Sequence, residues 1–243
     1  FESFDLDGLV KRSDIVAVAG GDGTVLRAAK VCALEGRPVL GVNLGKVGFL
    51  TEAELNETEN AALALSKGDF WMERRSMLKA KSGKTEMTAL NEIVLLKEAA
   101  ARIINFDVFC EGSLIDRYNA DGFIVSTPAG STAYSLSAGG PILSPAVKGL
   151  ALTPLCSHSL RNRSVVIGEN ETVEIRVNSP RPKAVLLADG ASERDFDPKK
   201  IIISKHNATA DFVKIKPPDF YKKLLLKLNS WSENKEIGRA SCR

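Results

Sequence analysis

Asp14-Ile-Val-Ala-Val-Ala-Gly-Gly-Asp-Gly-Thr24 joins an apolar run to three glycines around one carboxylate, and a helix-like stretch from Val25 to Leu34 follows. The β-branched residues of the run and its lack of polar alternation predict a strand buried on both faces of a parallel sheet. A glycine turn there lies at the strand's carboxyl end. Glycines permit positive φ and let a ligand approach the backbone amides, while the following helix offers unpaired N–H groups at the positive end of its dipole. Gly20, Gly21, Gly23 and Thr24 therefore read as a phosphate-binding turn. Asp22 sits where the same dipole favours its ionised form, so it can accept or polarise a proton of an attacking hydroxyl in phosphoryl transfer. The string also fits a plainer reading, in which Asp22 or Thr24 caps the helix and the glycines only make the bend. Neither Gly-x-Gly-x-x-Gly nor Gly-x-x-x-x-Gly-Lys-Ser/Thr is present, so any phosphate site is of another kind.

Outward from this turn, Arg37-Pro-Val-Leu-Gly-Val-Asn43 predicts a second short buried strand, ending in the loop Leu44 to Leu50. The spacing from Glu57 to Lys67 predicts a helix capped by Gly68. Strand, helix, strand, helix over residues 1–70 is the pattern of an α/β domain. From Trp71 the helical period gives way to short β-rich runs: 71–80, 85–96, 103–110, 113–120, 122–126, 163–167, 172–177, 184–188, 200–204 and 209–215. These predict a β-sandwich domain over 71–217, interrupted at Thr132 to Gly139 by a loop or a turn of helix. Asp219 to Leu228 puts Tyr221, Leu224, Leu225 and Leu228 on one face, so a C-terminal helix over 218–230 is expected to pack back onto the α/β domain. Residues 236–243 lack periodicity and read as a vector-derived tail, and the chain opens at Phe1 rather than at a methionine.

The chain has 243 residues, 44% hydrophobic and 26% charged, which is ordinary for one large or two modest globular domains. A net charge of +3, evenly spread, argues against nucleic acid as a partner without repelling a nucleotide. Cys32, Cys110, Cys156 and Cys242 have no paired spacing, and with His158 and His206 they form no zinc pattern, which predicts reduced thiols and no bound metal. No apolar stretch approaches the roughly 20 residues that span a bilayer. A soluble, cytoplasmic protein is expected, with no membrane partner; a targeting segment upstream of Phe1 would redirect it to an organelle.

Thr127-Pro-Ala-Gly-Ser-Thr-Ala-Tyr-Ser-Leu-Ser-Ala-Gly-Gly-Pro141 is the densest cluster of small and hydroxyl residues. Small residues admit a flat ligand, hydroxyls serve base and ribose edges, and Tyr134 offers a ring, so the segment suits a nucleoside; a flexible Ser/Gly loop is the competing reading. Asn91-Glu92 and Asn119-Ala-Asp121-Gly122 each set an amide near a carboxylate beside a β-run. That pairing suits a ribose diol, although either pair taken alone is more often a turn or a cap.

Taken in order, Gly20–Thr24, Asn91–Glu92, Asp121–Gly122 and Thr127–Pro141 resemble the motifs of the NAD kinases. The first is shared with phosphofructokinases and lipid kinases, whereas the last is highly specific. The resemblance continues through Leu152-Thr-Pro-Leu-Cys-Ser-His-Ser-Leu160 and Phe220-Tyr-Lys-Lys-Leu, covering the chain to about Trp231. It implies a Rossmann-like α/β domain followed by a β-sandwich, with the nucleotide bound between them and usually across an interface of a homodimer or homotetramer. It implies transfer of the γ-phosphoryl of ATP, or of polyphosphate in some members, to the 2′-hydroxyl of the adenosine ribose of NAD, giving NADP. Asp22 would polarise or deprotonate that hydroxyl, and Mg²⁺ would accompany the donor. Asn91 and Glu92 would hold the ribose; Gly23, Asn119, Asp121, Thr132, Ala133, Tyr134, Ser135, Leu136 and Ser137 would line the NAD site; Arg27 and Arg102 stand where the family places bases near phosphates, though a solvated strand-end charge explains Arg102 equally well.

Three departures stand out. A strand and helix that normally precede the glycine turn are missing or cut short, Ala191 replaces a polar Gln or His of many relatives, and His158 is assigned no chemistry. Two rivals are a lipid kinase acting on a diacylglycerol- or sphingosine-type hydroxyl, which gains nothing from Thr127–Pro141, and an NAD(P)-binding regulator that has lost turnover.

Overall fold

A computed structural model describes residues 5–45, 48–98, 101–157, 163–179 and 183–239, with side chains described to Asn229. The chain forms two compact units, Phe1–Arg74 with Ala210–Arg243, and Arg75–Thr209. Breaks near 70 and 217 were expected from the change of periodicity; they fall at 74 and 210 instead, inside the strands Trp71–Ser82 and Ile201–Lys214.

The first unit begins with α1 (Leu6–Arg12), whose start is capped by Asp5 accepting from the Gly8 N–H. Its seven residues are too few for a periodic signal, so it was not foreseen. Then come β1 (Val16–Gly20), α2 (Asp22–Leu34), β2 (Val39–Asn43), the two-residue β3 (Ala53–Glu54) and α3 (Thr58–Lys67). β1 and β2 are parallel from Val16↔Val39 to Gly20↔Asn43, so the two strand ends lie side by side. Two-sided burial holds for β2 but not for β1, where Ala17 and Ala19 are exposed. The reason is position: β1 ends the sheet, and α2 covers it with Val25, Ala28, Ala29, Cys32 and Ala33, a stripe at helical spacing. α3 ends, as expected, at Gly68 in the left-handed conformation, φ 75°.

The second unit takes up β4 (Trp71–Ser82), β5 (Thr85–Ala89), β6 (Glu92–Lys97), β7 (Ile104–Cys110), β8 (Ser113–Ala120), β9 (Gly122–Ser126), the short α4 (Tyr134–Ser137), β10 (Gly149–Leu155), β11 (Val165–Gly168), β12 (Val173–Val177), β13 (Ala184–Ala188), β14 (Ala191–Glu193) and β15 (Ile201–Lys214). One sheet is six-stranded, in the order β11-β10-β9-β6-β13-β14; β15, β12, β7 and β8 belong to the other. Alternation along the strands sends Ile93, Leu95, Phe123, Val125, Leu150, Leu152 and Leu186 into a core shared with Phe106, Val108, Val173, Ile175, Ile201 and Ile203 of the facing sheet. Each fully buried side chain of this size contributes about 1.5–3 kcal/mol. The other face of the six-stranded sheet carries Val94, Ile124 and Leu155, packed with Ala138. By the same alternation Glu92, Ser126 and Thr153 belong to that face.

Several strand readings change: the runs 200–204 and 209–215 are one strand, β15, and the short β3 and β14 were not expected. The run 85–96 is two strands in different sheets, with Leu90–Asn91 as the corner. β10 was not among the expected strands, and it carries Pro154, a residue that cannot donate to a ladder. It is tolerated because β11 pairs with β10 only from Gly149 to Leu152, leaving no ladder bond for Pro154 to break on that side.

In the first unit, β15 closes beside β2 through Phe212↔Val39. Its last residue is fixed by a buried ion pair: Lys214 Nζ lies 2.9 Å from Glu52 Oε2 and 3.5 Å from Glu73 Oε2, while Glu52 Oε1 accepts from the Ile215 and Lys216 N–H groups. The final helix, α5 (Phe220–Arg239), runs through 236–239, part of the stretch expected to be a tail. It packs onto this unit as expected, though by another face. Phe220, Lys223 and Lys227 turn inward, the first with its ring 5.9 Å from that of Phe49 and the second donating to the Thr51 carbonyl at 2.9 Å. Tyr221, Leu225 and Leu228 are exposed. Carbonyl and carboxylate acceptors draw the lysines in, with their aliphatic stems supplying the packing. His158 and residues 240–243 lie outside the described residues.

Candidate active site

In the first unit α2 begins at Asp22 itself, not three residues later. Gly21 is the N-cap with φ −88°, and no side chain caps the helix. Asp22 and Thr24 are thus not caps, and the plainer reading of the turn falls. Gly21 and Gly23 need no unusual φ, and a Cβ built on either would meet nothing within 4 Å. They leave open space beside the helix start, as a bound anion would require. Gly20 is different, because a Cβ there would stand 2.8 Å from that of Thr24.

The Asp22 carboxylate is turned back over the loop that follows β2. Oδ2 accepts from the Phe49 N–H at 3.0 Å and from Lys227 Nζ at 2.7 Å, and Oδ1 accepts from the Leu50 N–H at 3.0 Å. Gly48 makes this possible, since a Cβ at that position would come within 2.2 Å of Oδ1. Burial pushes the Asp22 acid upward, but the Lys227 ammonium and the two backbone donors outweigh it, and the net pKa is lowered. Asp22 is therefore a fixed anion. Lys227 also lies 4.5 Å from the centre of the Phe49 ring. Beside the turn, Asn43 Nδ2 bridges to the Gly45 carbonyl and to Glu54, shaping a cavity of about 430 Å³ lined by Asn43, Leu44, Gly45, Glu54, Leu55 and Asn56.

In the second unit Asn91 and Glu92 stand at the corner between the sheets, and the rest of the corner is clamped. Thr127 donates its N–H to the Asn91 carbonyl at 2.9 Å and its hydroxyl to the Leu90 carbonyl at 2.7 Å. Gly130 lies against Asn91 so closely that a Cβ would approach its carbonyl oxygen to 2.1 Å. Glu92 is only 7% exposed. Burial and the nearby Asp189 charge raise its pKa to about 8 against one opposing bond from the Tyr134 N–H. It is a neutral acid at pH 7. Its Oε2 and the hydroxyl of Ser126, the residue opposite it on β9, have no hydrogen-bond partner among the described residues.

The 127–141 segment is a compact 3-10 turn (Gly130–Thr132) followed by α4, not a flexible loop. Tyr134 and Ser137 are exposed, Thr132, Ala133 and Leu136 half-buried. Ser135, expected to line the NAD site, is instead fully buried, with its hydroxyl 3.3 Å from that of Thr153 and its carbonyl accepting from the Gly140 N–H at 2.8 Å. Asp121 is ion-paired to Lys97 at 3.7 Å, and Asn119 is exposed on β8. Arg27 and Arg102 are both exposed. Sequence reading missed Lys227, the Phe49 and Leu50 amides, and Asp189. The one signal for them was Gly48, next to Phe49 in the loop after β2, a glycine where backbone must pass close to another group.

A fixed anion at an open helix start in one unit, and a cluster of hydroxyl side chains on the sandwich of the other, are the parts that a nucleotide kinase requires. Residues 9–70 match the ATP-NAD kinase N-terminal domain and residues 90–215 the ATP-NAD kinase C-terminal domain. The chain is 40% identical over 233 residues to the NAD kinase of Carboxydothermus hydrogenoformans, spanning 93% of this chain and 83% of that one. Among solved structures, yeast NADH kinase complexed with NADH superposes with a TM-score of 0.82 at 28% identity, over 91% of this chain and 67% of the other. The NAD kinase of Archaeoglobus fulgidus in complex with ATP gives 0.77 at 32% identity, over 90% and 84%. The chain belongs to the NAD kinase family.

Proposed function

We propose that this chain transfers the γ-phosphoryl group of ATP to the 2′-hydroxyl of the adenosine ribose of NAD, with Asp22 orienting and finally deprotonating that hydroxyl. The O2′–Pγ bond forms, the bond from Pγ to the bridging oxygen breaks with its electron pair leaving on ADP, and the 2′ proton passes to Asp22 and then to water. The observation that carries the assignment is Asp22 itself, held ionised by Lys227 and two backbone donors at an uncapped helix start. A carboxylate this acidic is a poor base toward a free alcohol. It is suited to aligning the hydroxyl while the loose transition state forms, and to taking the proton late, once the oxygen has begun to bond to phosphorus.

Gly20, Gly21, Gly23 and Thr24 form the phosphate turn in this reading, with Arg27 on the next turn of α2. Asn91 and Glu92 hold the ribose, Thr132, Ala133, Tyr134, Leu136 and Ser137 line the base and its sugar, and Asn119, Asp121 and Arg102 complete the NAD contacts. Ser135 supports this segment from behind through Thr153 and Gly140 rather than by touching the ligand. Mg²⁺ enters as part of the ATP substrate; among the described residues no three His, Cys, Asp or Glu side chains are grouped to hold an ion. Polyphosphate as a second donor, and assembly into a dimer or tetramer through faces such as the exposed leucines of α5, belong to the same proposal. Nucleic acid and membrane have no part in it. No described helix is long and apolar enough to cross a membrane, and the proposed site of action is the cytoplasm.

The test is direct. Incubation with NAD, MgCl₂ and ATP or polyphosphate, followed by a NADP-specific dehydrogenase, should register NADP. A folded sample that binds NAD yet yields none with either donor would replace the kinase by a regulator. Sedimentation or light scattering reads the assembly state.

A further inference from the structure

We infer that Asp189, at the β13–β14 turn, is a positioning residue for the NAD site: its carboxylate holds the Leu90–Glu92 corner in the shape that presents Asn91 and Glu92 to the nucleotide. This rests on the proposed assignment of Asn91 and Glu92 to NAD. Three backbone donors converge on Asp189. The Leu90 N–H reaches Oδ2 at 2.8 Å, and the Asn91 and Glu92 N–H groups reach Oδ1 at 2.8 and 3.3 Å. The Asp189 N–H is itself given to the Glu92 carbonyl at 3.2 Å. These are the bonds that a continuing β-ladder would otherwise have claimed, and their diversion to one side chain is why the run breaks into β5 and β6 at this point.

A second observation shows that the corner serves something other than itself. Asp189 is held at φ 49°, the left-handed region, one residue before a glycine that would take that conformation at no cost. Next to it Glu92 is more than nine-tenths buried with Oε2 unpartnered, opposite Ser126 with its hydroxyl also unpartnered. A fold that only needed a tight turn would place a glycine at 189 and an apolar residue at 92. Instead one charged carboxylate fixes the backbone and reinforces the burial that keeps its neighbour protonated, so that Glu92 carries an O–H to donate as well as an oxygen to accept. A ribose diol needs both. The groups facing Glu92 are Asp189 from the β13 turn, Ser126 from β9 and the Tyr134 N–H from α4; Asp189 is the one that brings charge.

Three variants of the full chain test this by NAD titration, without ATP, from pH 6 to 9. Asp189→Asn should weaken NAD binding about tenfold at pH 7, as loss of a charged hydrogen-bond acceptor does. It should also move the alkaline loss of affinity to lower pH, because Glu92 then ionises more readily. In a Glu92→Gln background the pH shift caused by Asp189→Asn should vanish. Asp189→Gly keeps the left-handed backbone without strain, remains informative if the Asn variant fails to fold, and should lose affinity likewise. Wild-type affinity in Asp189→Gly, or a loss in Asp189→Asn with an unmoved pH profile, overturns the inference. Absence of NAD binding by the unaltered chain would instead strike the proposed function.

Discussion

Asp22 and Glu92 are both carboxyl groups withdrawn from water, and the fold has given them opposite chemistry. Burial raises the pKa of each. At Asp22 it is outweighed by an ammonium and two N–H donors, and the acid is held below the ordinary carboxylate range. At Glu92 a second carboxylate reinforces it, and the acid titrates near 8. Side-chain type alone says nothing about which of these a carboxyl group becomes; the neighbour's sign decides. In the proposed function the anion answers a proton that must leave and the neutral acid a hydroxyl that must be recognised.

The comparison is broken most severely at its charged member. Asp22→Asn should keep NAD binding but lower turnover by at least about 10²-fold, the lower range for loss of a general base; near-normal kcat would remove Asp22 from its role. Next comes the glycine that lets the loop reach it. Gly48→Ala must push a methyl group against Asp22 Oδ1 and Thr51 Oγ1, and overpacking of this kind costs about 1–3 kcal/mol in urea denaturation. Unchanged stability would show that Asp22 does not need its loop donors.

How far these carboxylates could be read from the chain differs sharply between them. The α/β order, most of the sandwich strands and the helix cap at Gly68 follow from local periodicity and turn chemistry, which act over a few residues and leave their mark in the sequence. Asp22 was legible too, because a strand-end glycine turn is a local signal. What was not legible is long-range: Lys227 meets Asp22 across more than two hundred residues, and Asp189 meets Leu90–Glu92 across nearly a hundred. The leucines of α5 misled for a related reason. Periodicity reveals an apolar stripe, but the acceptors that drew the opposite, lysine-bearing face inward belong to Asp22 and Thr51.

Lys227→Met sharpens the comparison from the paired side. With the ammonium gone, Asp22 keeps its burial and its two N–H donors, so its folded pKa rises toward the unfolded value of about 3.9. A depressed carboxyl group adds stability above its unfolded pKa and loses it as pH falls through its folded pKa. The variant should therefore be less stable by about 1 kcal/mol at pH 7, a modest figure for a partly exposed pair, and the deficit should close toward pH 3. Lys227→Arg should recover part of it. A deficit equal at both pH values would mean that Lys227 acts by packing on Phe49 rather than by charge.

Smallest, when read near pH 3, is the effect of Glu92→Gln, because there the glutamic acid is neutral in both folded and unfolded chains and glutamine matches it in shape. Its interest lies in what happens as the pH rises. The folded pKa of about 8 lies above the unfolded value of about 4.3, so the unfolded chain releases the Glu92 proton first. Stability contributed by the neutral form is complete below the unfolded pKa and drains away up to the folded one. Glutamine cannot ionise, so the variant should pull ahead of the natural chain between roughly pH 4 and pH 8 and then hold a constant lead. Urea midpoints across that range decide the matter: a lead that opens with pH makes Glu92 the neutral counterpart of Asp22, whereas a flat difference would mean that both carboxyl groups are ionised and that the two sites differ in place but not in chemistry.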